Sequence, residues 1–500
     1  MKKPLLIALA ALSLTTSCVD SLDDYNIDPN RAAIGTAPGV SFISNAERNL
    51  VRTINSANTN LNPFRYYVQY WAATDYPQES RYDINTRNIN GLYWNALYRD
   101  VLRDLREAKT VISADADLAP AVKANQLAVA EVLEIFAWTT LVENFGDIPY
   151  SQALDINVPL PKYDDQATIY ADLITRLDAA IAQFNESAGL GGSRPSFDLI
   201  NDGNVSLWLK FANSMKLRMA LTIADVDDAK ARTMVASAAG KVLTSNADNI
   251  DLAFNGTFPN TNPLFEDLVR SGRSDFVGTN FFIDRLKGTV DPVMGVVDPR
   301  LDDYFNPASS DGAYRGGIYG STNSKDSNSE PGNKLRQQTL PGMVMSYAQV
   351  EFMLAEAAAR GYGVAGTVES HYNAAIRASI IEWASYAPTT AADITAASAE
   401  ADAHLAKPGV AYATAPGATY REKIGYQKWI ALYNQPTEAF KEWRRLDSPT
   451  LTRPTRGITD IPVRFPYPVA EQNVNGTNYA AAATAIGGDI VTTKLFWDKR

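Results

Sequence analysis

Few residues of this chain can carry out chemistry. There are two histidines, His371 and His404, each isolated, and one cysteine, Cys18, in 500 residues. That supply leaves no histidine-based zinc site and neither Ser-His-Asp nor Cys-His nucleophilic machinery. No Gly-x-Ser-x-Gly elbow and no phosphate loop is present. Asp115 and Asp117 lack the following Gly and Glu of a helix-loop-helix calcium site. Asp298, Asp302 and Asp303 could supply oxygens to a hard cation, but they fit a solvated turn better. No cofactor is expected, and a structural calcium ion is left open. Glycoside hydrolysis needs only two carboxylates at a suitable separation. The 56 acidic residues offer many pairs and nothing selects one.

Binding chemistry is better supplied. A sugar packs its C–H faces on flat rings and offers hydroxyls to amides, carboxylates and guanidinium groups, so a site for it sets Tyr or Trp beside polar side chains. Two stretches outside strong helical periodicity have that mix. One runs from Trp71 to Tyr82 and includes Tyr76 and Arg81. The other spans 276–319, with Phe276, Asn280, Tyr314, Arg315 and Tyr319. Trp71 follows an apolar run and suits a core better than a ligand contact. Tyr314 and Tyr319, flanked by Gly312, Gly316, Gly317 and Gly320, have little core to join and are read as ligand contacts.

The elements that must position these residues are helical. Leu97, Tyr98, Val101, Leu102, Leu105, Ala108, Val111 and Ile112 form one apolar face. Further helices are predicted over 121–143, 169–184, 204–224 and 229–244. Two pairs follow, 347–360 with 369–383 and 420–433 with 436–446. The 347–383 pair turns at Gly361 and Gly363 and has Ala355, Ala358, Ala375 and Ala378 where helices approach closely. Trp94, Trp138, Trp208, Trp429 and Trp443 fall within helical patterns and are assigned to packing. Pro462–Pro468 is read as a staple holding the chain end to the helical body. Paired helices that cannot bury their faces alone must stack on neighbours. Segments 255–340 and 385–418 read as irregular insertions.

The N-terminus points to the envelope. Lys2 and Lys3 precede an apolar run from Leu5 to Leu14, too short to span a bilayer. Leu14-Thr15-Thr16-Ser17-Cys18 then resembles a lipoprotein processing box, with Leu one place further from the cysteine than usual. As the lone thiol, Cys18 can form no internal disulfide, so it is read as the lipid attachment site. Residues 1–17 are then a signal peptide, 18–35 a tether, and 36–500 one helical domain. A net charge of −10 disfavours nucleic acid and anionic lipid surfaces.

Several segments together resemble the SusD/RagB family of Bacteroidetes outer-membrane lipoproteins, in its SusD-like branch. They are Asp24–Asn30, Gln69-Tyr70-Trp71-Ala72, Tyr76–Tyr82, Asn144–Ser151, Met345–Val350 with Leu354–Ala357, Glu438–Phe440 with Glu442–Arg445, Arg464–Pro468 and Lys494–Asp498. Their order covers nearly the whole chain. The resemblance implies a mainly α fold of about four tetratricopeptide-like helix pairs carrying a loop-rich face. It implies surface exposure on the outer membrane, a SusC-like TonB-dependent barrel as partner, capture of oligosaccharide or polysaccharide, and no catalysis. Peptide capture, as in RagB-like relatives, is the alternative, and a surface glycosidase is a more distant one.

Overall fold

The computed structural model describes residues 37–84, 87–191 and 196–500. Cys18 and the tether lie outside them. The main helices are α1 (Gly39–Asn55), α2 (Ile89–Leu97), α3 (Arg103–Ala114), α4 (Pro120–Phe145), α5 (Gln166–Gln183), α6 (Val205–Thr222), α7 (Asp228–Ala238), α8 (Asn280–Leu286), α9 (Tyr347–Ala359), α10 (Val368–Ser385), α11 (Ala391–Leu405), α12 (Tyr420–Ala431) and α13 (Pro436–Leu446). A π-turn over Tyr98–Leu102 joins α2 to α3, so the face expected across 97–112 is carried by two helices in series. Strands are short: β1 (Trp71–Ala73), β2 (Ile148–Pro149), β3 (Tyr163–Asp164), β4 (Ile250–Leu252), β5 (Phe276–Gly278) and β6 (Gly342–Met345), paired β1–β5, β2–β3 and β4–β6.

The helices stack in sequence. α1 packs on α3, α3 on α4, α4 on α5, α5 on α6 and α6 on α7, while α9 packs on α6, α10 and α12. This is the mainly helical, paired architecture expected. Ala355 and Ala375 are fully buried where α9 meets α10, because small side chains let the backbones approach. Trp94, Trp138, Trp208 and Trp429 are core residues as assigned, and the half-buried Trp443 donates its indole N–H to the Pro449 carbonyl at 3.1 Å. The Pro462–Pro468 segment docks on the end of α4, with Phe465 N–H donating to the Asn144 carbonyl at 2.8 Å and Arg464 to the Phe145 carbonyl at 2.9 Å.

Several helices escaped the periodicity reading, including α8 in the 255–340 segment expected to be irregular and two longer ones. The 385–418 segment, expected to be irregular, contains α11. Its sequence is rich in alanine, which favours helix at little entropic cost, and Thr390 and Asp393 close a reciprocal capping box at its start. Only Ala397, Ala401 and His404 of α11 are buried, too thin a stripe to read as apolar periodicity. The other is α1, which follows the tether and was not anticipated.

Ionic contacts buried between the helices hold them in register. Arg218 on α6 grips Glu143 of α4 with two bonds, at 2.9 and 2.5 Å, and reaches Glu438 of α13 at 2.8 Å. Lys441 lies 3.0 Å from Glu442, which also takes Lys428 of α12 and Arg445, each at 2.6 Å. Arg445 forks onto Glu356 of α9 at 2.6 and 2.5 Å, and Glu356 also meets Arg360. Burial alone would raise the Glu356 and Glu442 carboxyls, but the surrounding guanidinium and ammonium groups hold both below the ordinary range.

Removing one member strands its partner as an unpaired buried charge. Glu356→Ala is expected to cost about 3–5 kcal/mol, measured by urea unfolding. Because these carboxyls are depressed in the folded state, their stabilisation is complete above the ordinary glutamate value of about 4.3 and is lost as pH falls through the folded values. The wild-type urea midpoint should therefore drop in acid, and the Glu356→Ala midpoint should drop less.

Candidate functional site

The two stretches singled out from sequence meet in the structure. β1 pairs antiparallel with β5 in the register Trp71↔Gly278, Ala72↔Val277 and Ala73↔Phe276. The ladder continues as Thr74 N–H donates to the Asp275 carbonyl at 3.0 Å and Thr74 Oγ1 to the Ser274 carbonyl at 2.6 Å. A ribbon three residues long thus aligns loop 74–79 with loop 270–275.

Several rings expected to face a ligand turn inward instead. Trp71 is buried, with its indole N–H on Tyr433 Oη at 2.8 Å and the Arg65 guanidinium 4.9 Å from its ring. Phe276 lies 4.9 Å from Trp71, ring to ring, and Tyr82 is fully buried. Tyr319 is buried as well, donating to the Tyr66 carbonyl at 2.6 Å, with its ring 5.9 Å from that of Tyr82. Arg81 donates to the Gly320 carbonyl at 2.7 Å. These residues clamp the 316–321 loop onto the 79–82 turn. The reading of Trp71, Phe276, Tyr82 and Tyr319 as exposed ligand platforms is corrected, since all four are buried, although Phe276 still borders the cleft around Tyr76 and Tyr319 the one beside Asn280. The glycines around Tyr319 let the chain approach closely. A Cβ at Gly316 would lie 2.2 Å from the Asn280 nitrogen, so the glycine-rich stretch is a tightly packed strap, not a loose loop.

The other candidates stay at the surface. Tyr314 is half-buried, and Arg315 serves its own loop by bonding Asp311 at 2.7 Å and the Ser327 carbonyl at 2.8 Å. Asn280 opens α8 and lines a cleft of about 330 Å³ with Phe281 and Arg285. Asp298 is spent on Arg300, at 2.8 and 2.7 Å, and Asp303 on Lys334. The expectation of a cation site or solvated turn there is corrected for both, since cationic side chains occupy their oxygens. Among the described residues no cluster of three or more metal-ligating side chains occurs.

Tyr76 behaves differently. Its side chain is 56% exposed, and its backbone has φ of 54°, a left-handed conformation costly for a bulky residue. The ring stands in a cleft of about 350 Å³, with the Arg87 and Arg273 guanidinium carbons 5.8 and 5.7 Å from its centroid. Arg87 is held by Glu79 at 3.1 Å and by Asn60 Oδ1 at 3.1 Å, and Arg273 by Asp275 at 2.6 Å. Burial raises the Glu79 carboxyl, and the Arg87 charge opposes that shift. The cleft therefore offers a flat ring between polar groups already fixed in place. Arg87, Arg273, Asn58 and Asn60 were missed from sequence. Their only local signal was polar, turn-forming composition, because the β1–β5 pairing that gathers them joins segments about 200 residues apart.

The family model described as "Starch-binding associating with outer membrane", a SusD-like model, matches residues 29–468. The chain belongs to the SusD-like family. SusD-like proteins are non-catalytic and bind nutrients at the outer membrane, and this chain is one of them. Solved structures agree on the fold. A SusD homologue from Parabacteroides distasonis is 24% identical, with 92% of this chain and 98% of that one covered and a TM-score of 0.76. A chitin-binding protein is 28% identical, with 91% and 100% covered and a TM-score of 0.72. A chitin-binding SusD homologue from Flavobacterium johnsoniae is 23% identical, with 92% and 97% covered and a TM-score of 0.71. A search of curated protein sequences finds no match.

If Tyr319 is an anchor, Tyr319→Phe should lower stability by about 1 kcal/mol, the net worth of one hydrogen bond, and leave ligand affinity unchanged. Paired urea unfolding and binding titrations check both halves.

Proposed function

We propose that this SusD-like protein captures an oligosaccharide or polysaccharide in the cleft around Tyr76 and delivers it to a SusC-like TonB-dependent barrel. The observation that carries this reading is Tyr76 itself, an exposed ring in a strained backbone conformation, rising between two arginines on the floor of a polar cleft. Stacking on a sugar's C–H face gives such a ring a use, and the surrounding amides and carboxylates suit hydroxyl groups. The chitin-binding relatives and the starch-binding family description support a glycan over a peptide. The protein would be held at the cell surface through lipid on Cys18, with residues 1–17 removed, 18–35 as tether and 36–500 as one binding body.

Isothermal titration against chitin and starch oligosaccharides tests the ligand. Tyr76→Ala should weaken binding by about tenfold or more, equivalent to about 1.4 kcal/mol. Binding of a peptide mixture with no glycan binding would overturn the sugar reading. Metabolic labelling with a fatty-acid probe should mark the wild type and leave Cys18→Ser unmarked and shed from the membrane fraction. Co-purification of the barrel in detergent checks the partner.

A further inference from the structure

The Tyr76 cleft does not end at Tyr76. A second cleft of about 480 Å³ opens between α1 and α2, and the two share Asn58, Asn60 and Asp267 on their common wall. That wall is rigid. Asp267 Oδ2 accepts from Ser56 Oγ at 3.0 Å and from the backbone N–H groups of Ala57 at 2.9 Å and Asn58 at 3.0 Å. Asn58 Oδ1 in turn accepts from Asn60 N–H at 3.0 Å. The turn between the clefts is thereby fixed, and the Nδ2 groups of Asn58 and Asn60 donate to no partner among the described residues. In the second cleft the amide of the exposed Asn95 likewise has no partner among the described residues, and Leu92 beside it, 45% exposed, offers an apolar surface. Ring, amides and leucine form one trench.

Its charges are arranged in a way that selects the ligand. Each of the four arginines lining the trench is paired with a carboxylate that also lines it. Arg52 meets Glu266 at 2.8 Å and Arg87 meets Glu79 at 3.1 Å. Arg99 meets Asp100 and Arg273 meets Asp275, each at 2.6 Å. Among the described residues Asp75 and Asp267 make no salt bridge, although Asp75 adds to the field at Arg273 and Arg65 acts on Asp267 from a distance. An anionic polymer would find no free cation to pair with and would face the two remaining carboxylates.

From these observations we infer that the ligand is a neutral glycan chain, long enough to lie across both clefts, and not a short or acidic sugar. This rests on the glycan reading proposed above and adds its charge and length. Titration with neutral chitin and maltose series from disaccharide to hexasaccharide, alongside polygalacturonate, tests it. Affinity for one neutral series should rise at least about tenfold with length. The double variant Leu92→Ser, Asn95→Ala, at two exposed positions, should erase that gain, while Tyr76→Ala weakens every length. Affinity independent of length, or Tyr76-dependent binding of polygalacturonate as tight as that of neutral chains, overturns this inference and leaves glycan capture standing. Absence of any Tyr76-dependent sugar binding overturns both.

Discussion

Everything in this structure leans on the chain of buried ion pairs that ties α4, α6, α9, α12 and α13 together. Arg218 and Arg445 sit at its two nodes, each bridging carboxylates from different helices. Charges taken out of water are stabilised only if their geometry is satisfied, so each pair tolerates one arrangement of the helices that supply it. An apolar interface of similar area would allow neighbouring registers at small cost. The helical stack is thereby a rigid frame, and loops attached to it can hold fixed positions.

The second constraint is the short ribbon of β1 and β5. It has only three residue pairs, yet it joins chain segments from either side of several helices and places Tyr76 opposite Arg273. The inward-facing rings around it, Trp71, Phe276, Tyr82 and Tyr319, give the ribbon a solid base. An exposed ring needs such a base: without it, a left-handed tyrosine in a surface loop would relax. The aromatic wealth of the two stretches is thus divided between a packed foundation and one ring left in solvent.

The trench carries the consequences outward. With its arginines each matched to a carboxylate, its recognition comes from amides, one ring and one leucine held at set distances. Such a surface distinguishes ligands by shape and hydroxyl pattern more than by charge.

Much of this was legible in the order of residues. The apolar spacing of Ile169, Leu173, Leu177 and Ala180 prescribes a helix wherever it sits, and the near absence of histidine and cysteine excludes whole reaction classes. α11 was not legible, because a thin buried stripe leaves no periodic signal; α1 does carry such a signal, in Ile43, Ala46, Leu50 and Ile54. Which aromatic residues would meet solvent also lay beyond the sequence. Tyr76 and Tyr82 stand six positions apart in similar company, yet one is exposed and the other fully buried. Composition states that rings and polar groups are available, and periodicity states which segments coil. Exposure depends on what arrives from elsewhere in the chain to cover each side chain, and that was decided only when β5 paired with β1 and the 316–321 strap closed over Tyr82.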